Sequence, residues 1–278
     1  MEPQVDHVVV DVQDRIEEAR RRYASLGFRL TERGRHTMGS VNHLAMFGSD
    51  YLELLGTGEP GGTPRADLAG FPIGLNGLVF KTANAAQRHT ELLQRGIPVQ
   101  PVQSFSRPVR IEGRGEEARF NTVHLPPRTV FDGRVYFCEH LTPQWVWRPE
   151  WQEHPNGAMA IARIVIAARD PAQVSGWFPR LLGQVVPGAD DSGVHATLVD
   201  KVRIEIVPHD SLLRQVGEAA PDPAGRSDYM ALLGIQVRSL QRAAEALHNG
   251  GIRAVGKEEG RLLVHPKEAM NVALEFSA

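Results

Sequence analysis

The feature that most constrains this chain is a pattern that occurs four times: a short β-branched strand, a helix, a glycine and a further strand. The four openings are VDHVVVDV (5–12), NGLVFKT (76–82), IARIVIAA (161–168) and LLGIQVRS (232–239). Helical stretches follow at 15–25, 84–95, 170–182 and 240–249, each succeeded by LGFRL (26–30), GIPVQPV (96–102), GQVVP (183–187) or GGIRAV (250–255). Asp14, Asn84, Asp170 and Ser239 suit helix N-caps, because a short side-chain oxygen can accept from free backbone N–H groups. Gly27, Gly96, Gly183 and Gly250 suit left-handed C-caps. Each unit closes on strand-like runs, the last carrying an acidic residue: YLELLG, RVYFCEHL, VRIEIVP and NVALEFSA.

Positions 7 and 163 lie 156 residues apart, as do 77 and 233, so a block of two βαβββ modules is duplicated. The expected fold is therefore α+β, with four βαβββ modules in two domains, residues 1–140 and 161–278. The Gly/Pro-rich stretch 56–72 links modules, and the connector 141–160 holds three of the four tryptophans. That connector is expected to clamp one half on the other, the alternative being a pocket wall.

A content of 42% hydrophobic and 23% charged residues is that of a globular protein. A net charge of −2 with interspersed signs points away from nucleic acid and anionic membranes as partners, and leaves a small molecule as the expected one. The single cysteine, Cys138, cannot form an internal disulfide and fits a reducing compartment. Without a signal-peptide pattern or an apolar run near the ~20 residues of a membrane span, the expected location is the cytoplasm. A homodimer is compatible with all of this.

Asp6-His7-Val8, Leu26-Gly27-Phe28, Gly34-Arg35-His36, Gly39-Ser40-Val41-Asn42-His43 and Tyr51-Leu52-Glu53-Leu54-Leu55 give the first 56 residues a familiar look. They resemble the glyoxalase-like branch of the vicinal oxygen chelate superfamily, and the four-module count is similar to its extradiol dioxygenases. The resemblance implies paired modules whose sheets curl into half-barrels around a cleft. It also implies a divalent ion there (Fe, Zn, Ni or Mn) that binds neighbouring oxygens of a substrate and polarises them. The superfamily spans lyases, isomerases, dioxygenases and non-catalytic sequestering proteins, so a metal-free binding module is the alternative to a metal-dependent enzyme.

Carried over residue by residue, the resemblance makes His7 the first-strand metal ligand and Glu53 the last-strand ligand of module one. Glu53 also stands as a catalytic carboxylate. Module two departs from the pattern, with Gly77 at the first-strand position. Its last strand offers either His140 or Glu139 as the third metal ligand, Glu139 standing also as a catalytic carboxylate, since strand alternation allows only one of them to face the cleft. Asn42, His43 and His124 are expected to contact substrate, with at most one of the adjacent Asn42 and His43 pointing inward. Arg107, Arg110, Arg114 and Arg119 surround what reads as a loop, basic enough to grip an anion. In the second half Arg163 and Leu233 replace His7 and Gly77 and only Glu205 and Glu275 remain, so this copy is expected to be structural. His195, His209 and His265 are scattered singletons.

Overall fold

The computed structural model describes residues 2–58, 67–68, 70–183, 190–255 and 260–278. The first module comprises β1 (Val5–Gln13), α1 (Ile16–Ser25), β2 (Gly34–Arg35), β3 (Ser40–Met46) and β4 (Tyr51–Thr57). The second comprises β5 (Gly74–Lys81), α2 (Ala85–Gln94), β6 (Gln103–Ile111), β7 (Arg114–His124) and β8 (Arg134–His140). Their strands form one eight-stranded sheet in the order β2-β3-β4-β1-β5-β8-β7-β6, so each module is ordered 2-3-4-1 outward-in and the two meet where β1 pairs antiparallel with β5.

The second half repeats this plan with β9 (Ala158–Ala168), α3 (Pro171–Ser175), α4 (Trp177–Leu182), β10 (His195–Val199) and β11 (Val202–Pro208). After an added helix, α5 (His209–Val216), come β12 (Tyr229–Val237), α6 (Leu240–Asn249), β13 (Arg261–Val264) and β14 (Ala273–Ser277). Its sheet runs β10-β11-β9-β12-β14-β13, with β9 and β12 as the antiparallel central pair. The fold is α+β, two half-barrels of the expected modular kind.

Local details depart from expectation for identifiable reasons. Asn84, Asp170 and Ser239 cap their helices by accepting from Gln87, Gln173 and Arg242 N–H, but the first helix begins at Arg15 with no side-chain cap. Residues 26–30 and 96–102 are not strands; the second strand of each early module starts later, at Gly34 and Gln103. Phe28 is pulled instead into the core, stacked on Phe276 of the other half at 5.9 Å; truncating such a ring costs about 3–5 kcal/mol. The expected strand 183–187 lies largely outside the described residues, and 250–255 forms no strand.

Strand alternation sorts β1 into two faces. Val8, Val10 and Val12 join a core beneath the helices that runs continuously through both halves, whereas Val9 joins a second cluster on the concave face. Trp145, Trp147 and Trp151 pack on that concave cluster. Polar contacts tie the connector to the first half: buried His154 donates to the Met46 carbonyl (2.8 Å) and accepts from Arg29 N–H (3.0 Å), while Asn156 donates to the Leu26 carbonyl (3.0 Å). Among the described residues no helix is long and apolar enough to cross a membrane.

Candidate active site

The concave face of the first half encloses about 500 Å³ of atom-free space, its mouth included. His7 on β1, Asn42 on β3, Glu53 on β4, His124 on β7 and Tyr136 on β8 all line it. They reach one space because each sits on the inward parity of its strand.

His7 is the centre of the arrangement. Its Nδ1 donates to Asp6 at 2.6 Å, its ring stacks on Tyr51 with centroids 4.3 Å apart, and its Nε2 lies 3.2 Å from the Tyr136 hydroxyl and 3.6 Å from Glu53 Oε2. Asp6 can reach this side because β1 is bulged: Val5 pairs with Phe80 and His7 with Val79, leaving Asp6 as the extra residue. Burial by itself would raise the Asp6 carboxyl, but the charge and hydrogen bond of His140 and those of His7 outweigh it and hold the group well below the usual carboxylate range. An ionised carboxylate only accepts, so both histidines donate to Asp6, and Nε2 is the ring nitrogen that His7 turns into the cleft.

Glu53 is 6% exposed. Burial pushes its carboxyl up, while the charges of His7 and His36 and a 2.6 Å hydrogen bond from Asn42 Nδ2 bring it below its ordinary value. His124 stacks on Tyr136 at 4.3 Å and bonds Thr122 Oγ1 at 3.0 Å.

The remaining expected residues lie elsewhere. His43 faces α1, where its Nδ1 meets the Thr31 carbonyl at 2.8 Å and its Nε2 stands 3.8 Å from Glu17. Glu139 takes the outward parity of β8: it accepts from Ala85 N–H at 3.0 Å, at the start of α2, and from Asn121 at 3.2 Å. His140 does face inward, but it is turned onto Asp6, with Nε2 3.0 Å from Oδ2. Among the described residues, the three-membered group of His, Cys, Asp or Glu whose donor atoms fall within 4.8 Å of one another is Asp6, Cys138 and His140, and not the set His7, Glu53 and His140. Burial pushes the Cys138 thiol well up, and the charges of Asp6, Glu53 and Glu139 reinforce it.

Cross-strand pairing corrects the reading of module two. Gly77 lies opposite Val9, where a Cβ would meet the Val9 side chain at 2.7 Å, so its bare Cα serves sheet packing and leaves no room for a ligand. The residues level with His7 are Val79 on β5 and Tyr136 on β8. In the second half the same positions are Arg163, Gly234 and Glu275. Gly77 is thus matched by Leu232 instead of Leu233. Arg163 fills the space, donating to Glu205 at 2.7 Å, to Gln215 at 2.5 Å and to Glu275 at 3.2 Å. Glu205 and Glu275 do converge, but on a guanidinium. An open groove of about 600 Å³ adjoins this cluster, lined by its Glu275 and Gln215 together with Arg214 and Arg261.

Asp6, Tyr136 and Tyr51 were not anticipated as parts of the site. Alternation back from His140 and Glu53 points to both tyrosines; the bulge that brings Asp6 in leaves no mark in the residue pattern. The basic "loop" is a β6–β7 hairpin in which Arg107 is buried and faces the cleft, while Arg110, Arg114 and Arg119 are exposed.

The glyoxalase-like domain family matches residues 5–182, spanning the whole first half and the opening of the second. The chain belongs to this family. Glyoxalase-like half-barrels of the vicinal oxygen chelate type are therefore its architecture, and three solved structures show how widely that fold is shared. A hypothetical protein from Staphylococcus aureus superposes with a TM-score of 0.69 at 8% identity, covering 99% of each chain. A mutant 4-hydroxymandelate synthase from Streptomyces coelicolor gives 0.61 at 12% identity, over 99% of this chain and 92% of that one. A xylose isomerase-like TIM barrel/4-hydroxyphenylpyruvate dioxygenase fusion protein gives 0.56 at 12% identity, over 99% of this chain and 49% of that one. No curated protein matches in sequence. At these identities the likeness concerns the fold.

Proposed function

We propose that the first-half cleft of this glyoxalase-like protein binds and transforms a small organic molecule with neighbouring oxygen atoms, using a divalent metal ion. The observation that carries the reading is His7, anchored through Nδ1 on Asp6 at 2.6 Å with Nε2 turned toward Glu53 and Tyr136. A carboxylate behind an imidazole is the arrangement that orients metal-ligating histidines and raises their basicity. His7 Nε2 and Glu53 would hold the ion, with the Tyr136 hydroxyl as a third donor, a mixed N/O set suited to iron or zinc. Bound there, the ion supplies Lewis-acid polarisation of substrate oxygens.

The chain's own groups supply the rest. Asn42 donates to Glu53 and keeps that carboxylate aimed into the cleft. Glu53, with Oε1 on Asn42 and Oε2 facing His7, is the carboxylate that would take a proton from a substrate C–H or O–H, while Asp6 keeps His7 Nε2 turned into the cleft. Aromatic walls, with Trp147 centred 5.6 Å from Tyr51, limit access of water. These roles favour proton transfer of the lyase or isomerase type. The synthase and the dioxygenase fusion protein among the similar structures keep an oxygenase in view. Cys138, buried and free, fits a cytoplasmic setting.

The test is metal content of the whole chain after separate incubation with iron, zinc, nickel and manganese. His7→Ala and Glu53→Gln should each lower bound metal about tenfold or more while melting stays cooperative. Metal lost on Cys138→Ser but kept in His7→Ala would move the ion to Asp6, Cys138 and His140. A wild type that takes up none of the four overturns the metal-dependent reading. The second reading, a metal-free binding module, is favoured by Val79 standing level with His7 where module two could have offered a ligand.

A further inference from the structure

Arg107 projects from β6 into the first-half cleft and is 3% exposed. Among the described residues its Nη2 has no hydrogen-bond partner, and the Tyr51 and Glu53 groups act on it only at longer range. The other buried arginines are held: Arg134 reaches Asp67 at 3.4 Å and Asn76 at 3.2 Å, and Arg226 donates to the Pro223 carbonyl at 2.9 Å and the Leu75 carbonyl at 3.0 Å. A buried cation that hydrogen-bonds no counter-charge is unfavourable, so a guanidinium left this way in a cleft signals an anion that arrives from outside.

A second unsatisfied atom lies beside it. Asn42 Oδ1 is buried without a partner, and its orientation is set because Nδ2 is committed to the Glu53 carboxylate. Gly34 on β2 borders both groups: a Cβ there would stand 2.2 Å from Asn42 Oδ1 and 3.2 Å from Arg107 Cδ. The cleft thus offers one free cationic donor and one free neutral acceptor, on two side chains that both pack against Gly34. Phe105 and Phe120, with centroids 5.2 Å apart, form an aromatic wall next to them.

We propose that the cleft recognises a small aromatic carboxylate bearing an adjacent hydroxyl, with the carboxylate on Arg107, the hydroxyl donating to Asn42 Oδ1 and the ring against Phe105 and Phe120. Arginine suits this role because its planar fork can meet both carboxylate oxygens. The proposal takes from the functional reading only that this cleft is the ligand site; it does not require the metal.

Salicylate is the probe and its neutral amide, salicylamide, the control, titrated calorimetrically into the whole chain without added metal. Wild type should bind salicylate about tenfold or more tighter than salicylamide, and salicylate should raise its melting temperature. Arg107→Met should bind both compounds equally and, unliganded, melt no lower than wild type, because an unpaired buried charge has been replaced by an apolar chain of similar length. Arg107→Lys should keep part of the preference. Equal binding of the two probes by wild type, binding of neither, or a preference retained in Arg107→Met would overturn the proposal. Inorganic phosphate reproducing the salicylate shift would overturn the aromatic-carboxylate assignment. Metal content of Arg107→Met, measured in parallel, should equal that of wild type, so failure of the anion site and failure of the metal site read out separately.

Discussion

His7 Nδ1 and the Asp6 carboxylate are joined by a 2.6 Å hydrogen bond between consecutive residues of one strand, possible only because β1 is bulged between Val5 and His7. The same carboxylate accepts from His140 Nε2 at 3.0 Å, so two imidazoles from opposite modules are oriented by one buried acid. Removing that acid while keeping its shape should disorient both rings.

Asp6→Asn is accordingly expected to lower metal content about tenfold or more without unfolding the chain, since orienting partners of metal-bound histidines contribute effects of that size. The Asp6 carboxyl is held below its ordinary value, so its stabilising contribution is present above the unfolded carboxylate range, about pH 4, and lost as pH falls below it. Acid titration followed by circular dichroism should show wild type losing more stability than Asp6→Asn over that interval. Parallel acid profiles would contradict the assignment.

Asp50 gives a pH dependence of opposite sign. It is 1% exposed and accepts from Ile161 N–H at 2.8 Å, and burial pushes its carboxyl up to about 6 against the Ile161 hydrogen bond. With the folded value raised, the contribution is full at pH below the unfolded value and is lost as pH rises through about 6. Asp50→Asn keeps an acceptor for Ile161 and should stabilise the protein at about pH 8 by up to about 3 kcal/mol, with no gain near pH 4. Urea denaturation at both pH values checks this; an equal effect at both would refute it.

Arg163 stands where His7 stands in the other half, and it neutralises Glu205 and Glu275. Arg163→Met should cost about 3 kcal/mol at neutral pH by leaving two buried carboxylates facing each other. The Glu205 carboxyl is raised by burial but brought below its ordinary value by Arg163 and Arg203, so this loss should shrink as pH falls through about 4 and the acids protonate. Denaturation midpoints of variant and wild type across that range decide it, and a pH-independent gap would count against the ion-pair explanation.

Glu139 accepts from the Ala85 N–H at the start of α2. Glu139→Ala should lower stability by about 1 kcal/mol, the usual worth of a helix N-terminal acceptor, and leave salicylate binding and metal content untouched. A variant as stable as wild type but defective in either form of binding would return Glu139 to the cleft.

Much of this was legible in residue order. The period-two pattern of Tyr51-Leu52-Glu53-Leu54-Leu55 puts Glu53 on one face, and the same logic limits Asn42 and His43 to one inward residue between them; the inward one is Asn42. The 156-residue offset correctly equated His7 with Arg163, because both lie two residues before a valine paired with a last-strand glutamate, Val9 with Glu53 and Val165 with Glu205. The equation of Gly77 with Leu233 slipped by one: both sheets bulge at the same place, skipping Asn76 and Ala231, and the chain from Arg163 to its partner Gly234 is one residue shorter than that from His7 to Val79.

The four modules, their duplication and the parity of Glu53 were determined by the sequence alone, since they depend on local periodicity. Which groups meet was decided only by tertiary structure. Asp6 reaches His7 and His140 through a bulge, Tyr136 stands level with His7 through the register of β5 with β8, and Arg107 of the β6–β7 hairpin lines the cleft with its Nη2 unpartnered. The physical reason is that side-chain direction follows from neighbours along a strand, whereas contact between strands follows from pairing register, which long-range packing sets.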